Sequence, residues 1–254
     1  MLKAMRYDNI LFETRDGIGK ITFNRPSRLN ALSDAALQET ASCILDANKD
    51  ASVNVLIITG AGKSFSTGRD IESLSGGLSN INVNVPLLSD TVRDVVNAIQ
   101  SISKVVIAMV NGYCLTGALE ITLACDLIIA SESAKFGDTH ARWGLRSGAG
   151  MSQRLPLLIG VLKAREMSFT AKIISAHEAE NIGLVNIVVT DEKLEETTYE
   201  IAHKIMENSL DSVAAYKHLF NAFINNAIQQ GVFLETYGIL PIRDTIERIN
   251  KFKK

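Results

Sequence analysis

Three short, nearly continuous apolar runs constrain the fold of this 254-residue chain more than any other feature: 53–59, 104–110 and 127–130. They are rich in Val and Ile, and they do not alternate with polar residues as a half-exposed strand would. That pattern suits strands covered on both faces. Gly-containing loops follow the first two runs, and apolar helical patterns follow the loops (Val92, Val95, Val96 and Ile99 after the first; 118–125 after the second). A strand, a loop and a helix recurring several times make the fold class α/β.

The remaining elements follow from local signals. Residues 10–24 read as a hairpin turning at Asp16-Gly17. Pro26 ends it. Ser33 reads as an N-cap, followed by a helix with Leu37, Ala41, Ile44 and Leu45 on its apolar face. Gly60 to Gly68 reads as a Gly- and Ser-rich loop, and the polar segment 72–90 as a mobile surface stretch. Lys135-Phe136 marks a further strand start. A Gly-rich loop over 144–150 precedes the apolar stretch 155–161. Ser175-Ala176-His177-Glu178 has capping-box spacing, Gly183 closes that helix, and 185–189 is the last strand. From about 191 the pattern is helical, with Val213, Phe220, Phe223, Ile224 and Ala227 near one face. A soft boundary near 195 divides a core, 1–195, from a helical C-terminal region, 196–254.

Composition excludes several classes. The formal net charge is −2, which disfavours nucleic acid. No stretch approaches the ~20 apolar residues of a membrane helix. The three cysteines, Cys43, Cys114 and Cys125, cannot all pair with one another, and there is no apolar leader at the start; both fit a reducing, cytoplasmic setting. The histidines His177, His203 and His218 lack convergent Cys or carboxylate spacing, so no metal site is expected. Gly60-Ala61-Gly62-Lys63-Ser64 superficially suggests a phosphate-binding loop. The first glycine of that motif is missing, because position 57 is Ile, and no helix pattern follows Lys63-Ser64.

Two loops carry more information. Phe65-Ser66-Thr67-Gly68-Arg69-Asp70-Ile71 follows one buried run, and Gly68 permits backbone angles that turn the next N–H into a cavity. Asn111-Gly112-Tyr113-Cys114-Leu115-Thr116-Gly117 follows the second run and enters a helix. There Glu120 is the only charge before Asp126. Burying a lone carboxylate is costly without a reason. Cys114 reads as core packing, since no residue near it in sequence is an obvious base.

These segments resemble the crotonase superfamily of enoyl-CoA hydratases and isomerases. Phe65-Ser66-x-Gly68-x-Asp70 and Asn111-Gly112-Tyr113-…-Gly117-x-x-Glu120-…-Ala124-Cys125-Asp126 carry the resemblance. Asn24 to Leu32, Gly148 to Pro156 and Ile182 to Asn186 agree with it, in order, over roughly 10–190. The resemblance implies a ClpP-like spiral of ββα turns with a C-terminal helical trimerisation region, as a homotrimer or hexamer. It implies an acyl-CoA thioester as substrate, with no cofactor and no metal. By motif position, the backbone N–H groups of Arg69 and Gly117 form an oxyanion hole for a thioester enolate. Glu120 takes the place of the first catalytic glutamate. The second falls on His140, because the chain reads Phe136-Gly137-Asp138-Thr139-His140 where the family pattern ends in Glu. Glu120 and His140 together hold the water, or one of them shuttles a proton alone; Asp138 is a further candidate if it turns inward. Arg25, Arg28, Ala31, Gly68, Asp70, Ile71 and the tail residues Lys251 and Lys253 are candidates for binding CoA, and 71–88 with Trp143 for the acyl wall. Hydration of a trans-2-enoyl-CoA leads. A double-bond isomerase is the alternative, then a decarboxylase or thioesterase on the same scaffold, or a non-catalytic acyl-CoA binder.

Overall fold

The computed structural model describes residues 7–70, 91–237 and 245–252. The expected surface stretch 72–90, Ile71, the acyl-wall segment 71–88 and Lys253 lie outside the described residues.

The hairpin forms as read: β1 (Ile10–Arg15) pairs antiparallel with β2 (Ile18–Phe23). Asp16 and Gly17 both take positive φ, 50° and 79°, the geometry whose twist matches a two-residue hairpin. The three apolar runs become β3 (Val55–Gly60), β5 (Val105–Val110) and β7 (Leu127–Ser131), which lie parallel in one sheet. Its six-strand order is β1-β2-β3-β5-β7-β10, with β10 at Ile187–Val189. Both faces are covered. Leu56, Ile58, Val106 and Ala108 enter the larger core, while Val55, Ile57, Val105 and Ile107 face a second cluster with Leu194 and Ala202.

A second, four-stranded sheet was not evident in the sequence. It contains β4 (Ser64–Ser66), β6 (Tyr113–Leu115), β8 (Lys135–Gly137) and β9 (Ile173–Ser175). Three-residue strands therefore reach into both informative loops, β4 ending in the first and β6 lying within the second, and Ile173–Ser175 is an element with no counterpart among the expected ones. Such strands are too short to show a period. Ser64 starts β4 and no helix follows Lys63, so the 60–64 segment is a corner of the chain and not a phosphate loop. The corners are tight: a Cβ on Gly112 would stand 2.2 Å from Lys63 O, so only glycine fits.

Helix α1 (Asp34–Lys49) begins at Ser33, whose side chain accepts the Ala36 N–H at 3.2 Å. Its buried stripe includes Leu37, Cys43, Ile44 and Ala47, whereas Leu45 is exposed, one position off the expected face. Helix α2 (Thr91–Ser101) buries Val92, Val95, Val96 and Ile99 as expected. Helix α3 (Gly117–Thr122) is entirely buried. The 155–161 stretch is the junction of α4 (Met151–Ile159) and α5 (Val161–Thr170), broken at Gly160. In α6 (Ala176–Asn181), Ser175 accepts from Glu178 N at 3.2 Å, while the Glu178 carboxylate pairs with Lys172. The last strand starts at Ile187, not Val185.

Helix α7 (Leu194–Met206) covers the outer face of the main sheet. Helix α8 (Leu210–Tyr237) follows and α9 (Thr245–Phe252) lies last. Lys217 of α8, buried, bonds Asp126 Oδ2 and Lys104 O, each at 2.8 Å. Val213 packs against the second cluster, but Phe220 and Phe223 are exposed, so the apolar face read along this helix does not all turn inward.

Candidate active site

The parallel strands β4, β6 and β8 of the small sheet run from the chain's corners toward Arg69, Gly117 and His140, which brings three distant segments together. Just past β4, Arg69 makes a parallel bridge with Leu32: Leu32 N donates to Gly68 O at 2.8 Å and Asp70 N to Leu32 O at 3.0 Å. Those bonds use the carbonyl before Arg69 and the amide after it, so Arg69's own N–H points to the other side. Gly68 has φ +91°, and a Cβ there would stand 2.8 Å from Leu115 O and 3.3 Å from Gly117 N.

Past β6, Thr116 adopts φ 54° and ψ −119°, a sparsely populated conformation for a β-branched residue. It is held by Thr116 N donating to Gly137 O at 2.9 Å and by a 2.6 Å contact between the Thr116 and Thr139 hydroxyls. Gly117 then opens α3, so its N–H has no partner within the helix. A Cβ on Gly117 would stand 3.9 Å from Arg69 N. The two amides are thus neighbours, and neither meets a protein acceptor among the described residues.

The Arg69 side chain anchors this loop. Its Nη1 donates to Asp34 Oδ1 at 2.7 Å and Thr91 Oγ1 at 2.8 Å, at the starts of α1 and α2. Arg25 Nη1 donates to Ala31 O at 2.7 Å and Asp70 Oδ2 at 2.9 Å. Arg25, Ala31, Gly68 and Asp70 are therefore one unit, with the Arg25 guanidinium joining the 24–32 loop to the Arg69 loop. Arg28 and Lys251 are exposed, and Lys251 pairs with Glu247 at 2.6 Å.

Glu120 lies in the first turn of α3, 2% exposed. Its Oε1 accepts N–H groups from Ala149 at 2.8 Å and Gly148 at 3.2 Å. The carbonyls of the same two residues accept from arginines: Arg93 Nε on Gly148 O at 3.1 Å, and Arg154 Nη1 on Ala149 O at 2.9 Å. The other carboxylate oxygen, Oε2, lies 3.8 Å from Nε2 of His140. His140 is 5% exposed and opens the 3-10 turn His140–Trp143. Its Nδ1 lies 2.6 Å from Asp138 Oδ1, which also accepts the His140 backbone N–H at 3.2 Å. Ser168 Oγ of α5 donates to Asp138 Oδ2 at 2.6 Å. Burial alone would push the Asp138 carboxyl up, but the donors on His140 and Ser168 hold it below the ordinary carboxylate range.

Asp138 does turn inward, onto His140. Sequence reasoning missed Ser168, Arg93 and Arg154, and no local signal marks them. The remaining histidines, His177, His203 and His218, are exposed. Burial pushes the Cys114 thiol up to about 12, and the thiol meets Thr122 Oγ1, so it is a poor nucleophile. Among the described residues no group of His, Cys, Asp and Glu is arranged to hold a metal ion. A cavity of about 500 Å³ lies at the opposite ends of the small-sheet strands, lined in part by Lys63, Tyr113, Lys135 and Asp191.

A family model described as enoyl-CoA hydratase/isomerase matches residues 13–237. The chain belongs to the enoyl-CoA hydratase/isomerase family. It is 38% identical over 218 residues to a short-chain-enoyl-CoA hydratase of Clostridium acetobutylicum, covering 85% of this chain and 82% of that one. An enoyl-CoA hydratase/isomerase from Xanthobacter autotrophicus has the same fold, with TM-score 0.85 and 29% identity over 98% of this chain and 94% of that one. A monofunctional enoyl-CoA isomerase from Mycobacterium smegmatis superposes with TM-score 0.74 and 31% identity, covering 89% and 98%. The α/β spiral of the crotonase superfamily, expected from five ordered motifs, is the architecture found.

Proposed function

We propose that this family member hydrates trans-2-enoyl-CoA thioesters to 3-hydroxyacyl-CoA. The observation that carries the reading is the buried approach of Glu120 Oε2 to His140 Nε2 at 3.8 Å, in a site that also holds the adjacent amides of Arg69 and Gly117. In this reading the thioester oxygen lies on those two amides. Water adds to C3 and gives a proton to Glu120, the π electrons move to the oxygen as an enolate, and C2 takes the Nε2 proton of a doubly protonated His140, which is left as the neutral ring. The short gap between Glu120 and His140 returns the proton. Each main-chain donor contributes about 3–4 kcal/mol to enolate stabilisation. Positioned proton transfer adds ~10²–10⁴-fold. The reading needs no cofactor, since the amides carry the enolate charge.

Glu120→Gln tests it. The variant keeps an acceptor for Gly148 and Ala149 but has no base. Loss of enoyl absorbance on adding protein should vanish while CoA-ester binding remains. Unchanged turnover would overturn the reading, and binding without turnover by the wild type would favour a non-catalytic binder.

One observation favours isomerisation as the second reading. The partner of Glu120 is an imidazole and not a second carboxylate, and a single proton shuttle suffices to move a double bond from C3 to C2. Running both substrates with His140→Ala and His140→Glu separates the two; hydration that rises in His140→Glu points to isomerisation as the native reaction.

We further propose that copies associate as a trimer or hexamer. Leu162 and Phe169 on α5 are 81% and 77% exposed and Phe223 on α8 is 75% exposed, more apolar surface than a monomer comfortably leaves wet. A cytoplasmic location fits the bacterial relative. Among the described residues no helix is long and apolar enough to cross a membrane.

A further inference from the structure

Resting on the hydratase reading, we infer that Asp138, seated by Ser168, is a positioning residue that fixes which nitrogen of His140 carries the proton and makes the Asp138–His140 pair equivalent in charge to a single carboxylate. Three donors converge on Asp138. The His140 backbone N–H reaches Oδ1 at 3.2 Å, the Ser168 hydroxyl reaches Oδ2 at 2.6 Å, and His140 Nδ1 lies 2.6 Å from Oδ1. An ionised carboxylate only accepts, so Nδ1 must be the protonated nitrogen of the neutral ring. That leaves the Nε2 lone pair on the side of Glu120, 3.8 Å from Oε2.

With neutral His140 the pair carries −1, and when Nε2 takes a proton the pair becomes neutral. A carboxylate passing to its acid does the same. An imidazole without Asp138 would pass from neutral to +1, a different field for an enolate forming nearby. Among the described residues, four other charged side chains near the pair have partners of their own. Glu120 faces it from α3 with its second oxygen on the Gly148 and Ala149 amides. Arg93 and Arg154 bind the carbonyls of that same loop, and Arg142 Nη2 binds Ala171 O at 3.1 Å. Asp138 thus meets the ring at Nδ1, at 2.6 Å, while Glu120 Oε2 stands 3.8 Å from Nε2.

The test uses full-length protein labelled with ¹⁵N-histidine, with the His140 signals assigned by their loss in His140→Ala. The neutral ring should carry its proton on Nδ1; a neutral ring protonated on Nε2 overturns the inference. This arm needs no substrate, so it fails or succeeds separately from the hydratase reading. In the kinetic arm, Asp138→Asn keeps the hydrogen-bond geometry and removes the charge. It should lower kcat by about 10²-fold with KM within about threefold, by the usual size of acid–base effects. In a His140→Ala background the same change should cost nothing further, because its effect passes through the ring. A full loss in both backgrounds, or wild-type kcat in Asp138→Asn, overturns the inference. Ser168→Ala removes one donor and no charge; it should lower kcat about tenfold, and it carries the kinetic arm if Asp138→Asn does not fold.

Discussion

The Glu120 carboxylate meets the Ala149 amide at 2.8 Å across 29 positions of sequence. That bond, with the weaker one from Gly148, lets a carboxylate be buried at the start of α3. The acceptor is satisfied by main-chain donors, and their carbonyls are tied in turn by Arg93 and Arg154.

The two halves of the Glu120 role should therefore separate. Glu120→Gln retains an acceptor oxygen and should unfold within a few degrees of wild type while turnover falls by ~10²–10⁴-fold. Glu120→Ala leaves two buried amides without an acceptor, each costing about 1–3 kcal/mol. Calorimetry beside a kinetic assay checks both; equal stability of the two variants would contradict the account.

Asp138 predicts a pH effect of defined sign. Its folded pKa is depressed, whereas an unfolded aspartate titrates near ~3.9. The stability it contributes is fully present above that unfolded value and is lost as the pH falls below it through the folded one. Denaturant melts from pH 6 to pH 2.5 should show wild type losing its margin over Asp138→Asn on the acid side. Parallel curves would show that the carboxylate gains nothing from its donors.

Gly68 is the position where sterics and chemistry coincide. Alanine there must adopt φ +91° and meet Leu115 O at 2.8 Å, so the loop shifts and the Arg69 amide with it. Loss of one oxyanion donor costs about 10²–10³ in kcat. Gly68→Ala should show such a loss with its far-ultraviolet spectrum intact.

Lys217 should govern the attachment of α8. Burial pushes the Asp126 carboxyl up even with the ammonium beside it. Lys217→Met strands that carboxylate and should cost about 3–5 kcal/mol. Adding Asp126→Asn removes the stranded charge and should restore much of the loss, which a double-mutant cycle measures.

The apolar surface on α5 and α8 predicts its own test. Phe169→Glu should lower the mass seen by light scattering from that of an oligomer toward 27.6 kDa, whereas an unchanged mass would remove that face from the interface.

Local chemistry made much of this protein legible in one dimension. Three uninterrupted apolar runs are enough to specify strands buried on both faces, because covering them from two sides is the only way to keep that surface dry. Asp16-Gly17, Ser33 and Ser175 mark their turn and caps through bonds made within a few residues. The Gly68 and Gly117 loops and the lone Glu120 were also visible, since their residue types are hard to explain by packing. Folding decided what spans long separations. The small sheet went unseen because three residues carry no periodicity, and its stability comes from neighbouring strands of distant sequence. Leu45 and Phe223 lie outward because a face is chosen by what packs against it, not by the helix alone. The seating of His140 depends on Asp138 two residues away, and also on Ser168 and Glu120, contributed by two different helices. Only three-dimensional packing could join them, since no interaction along the chain reaches that far.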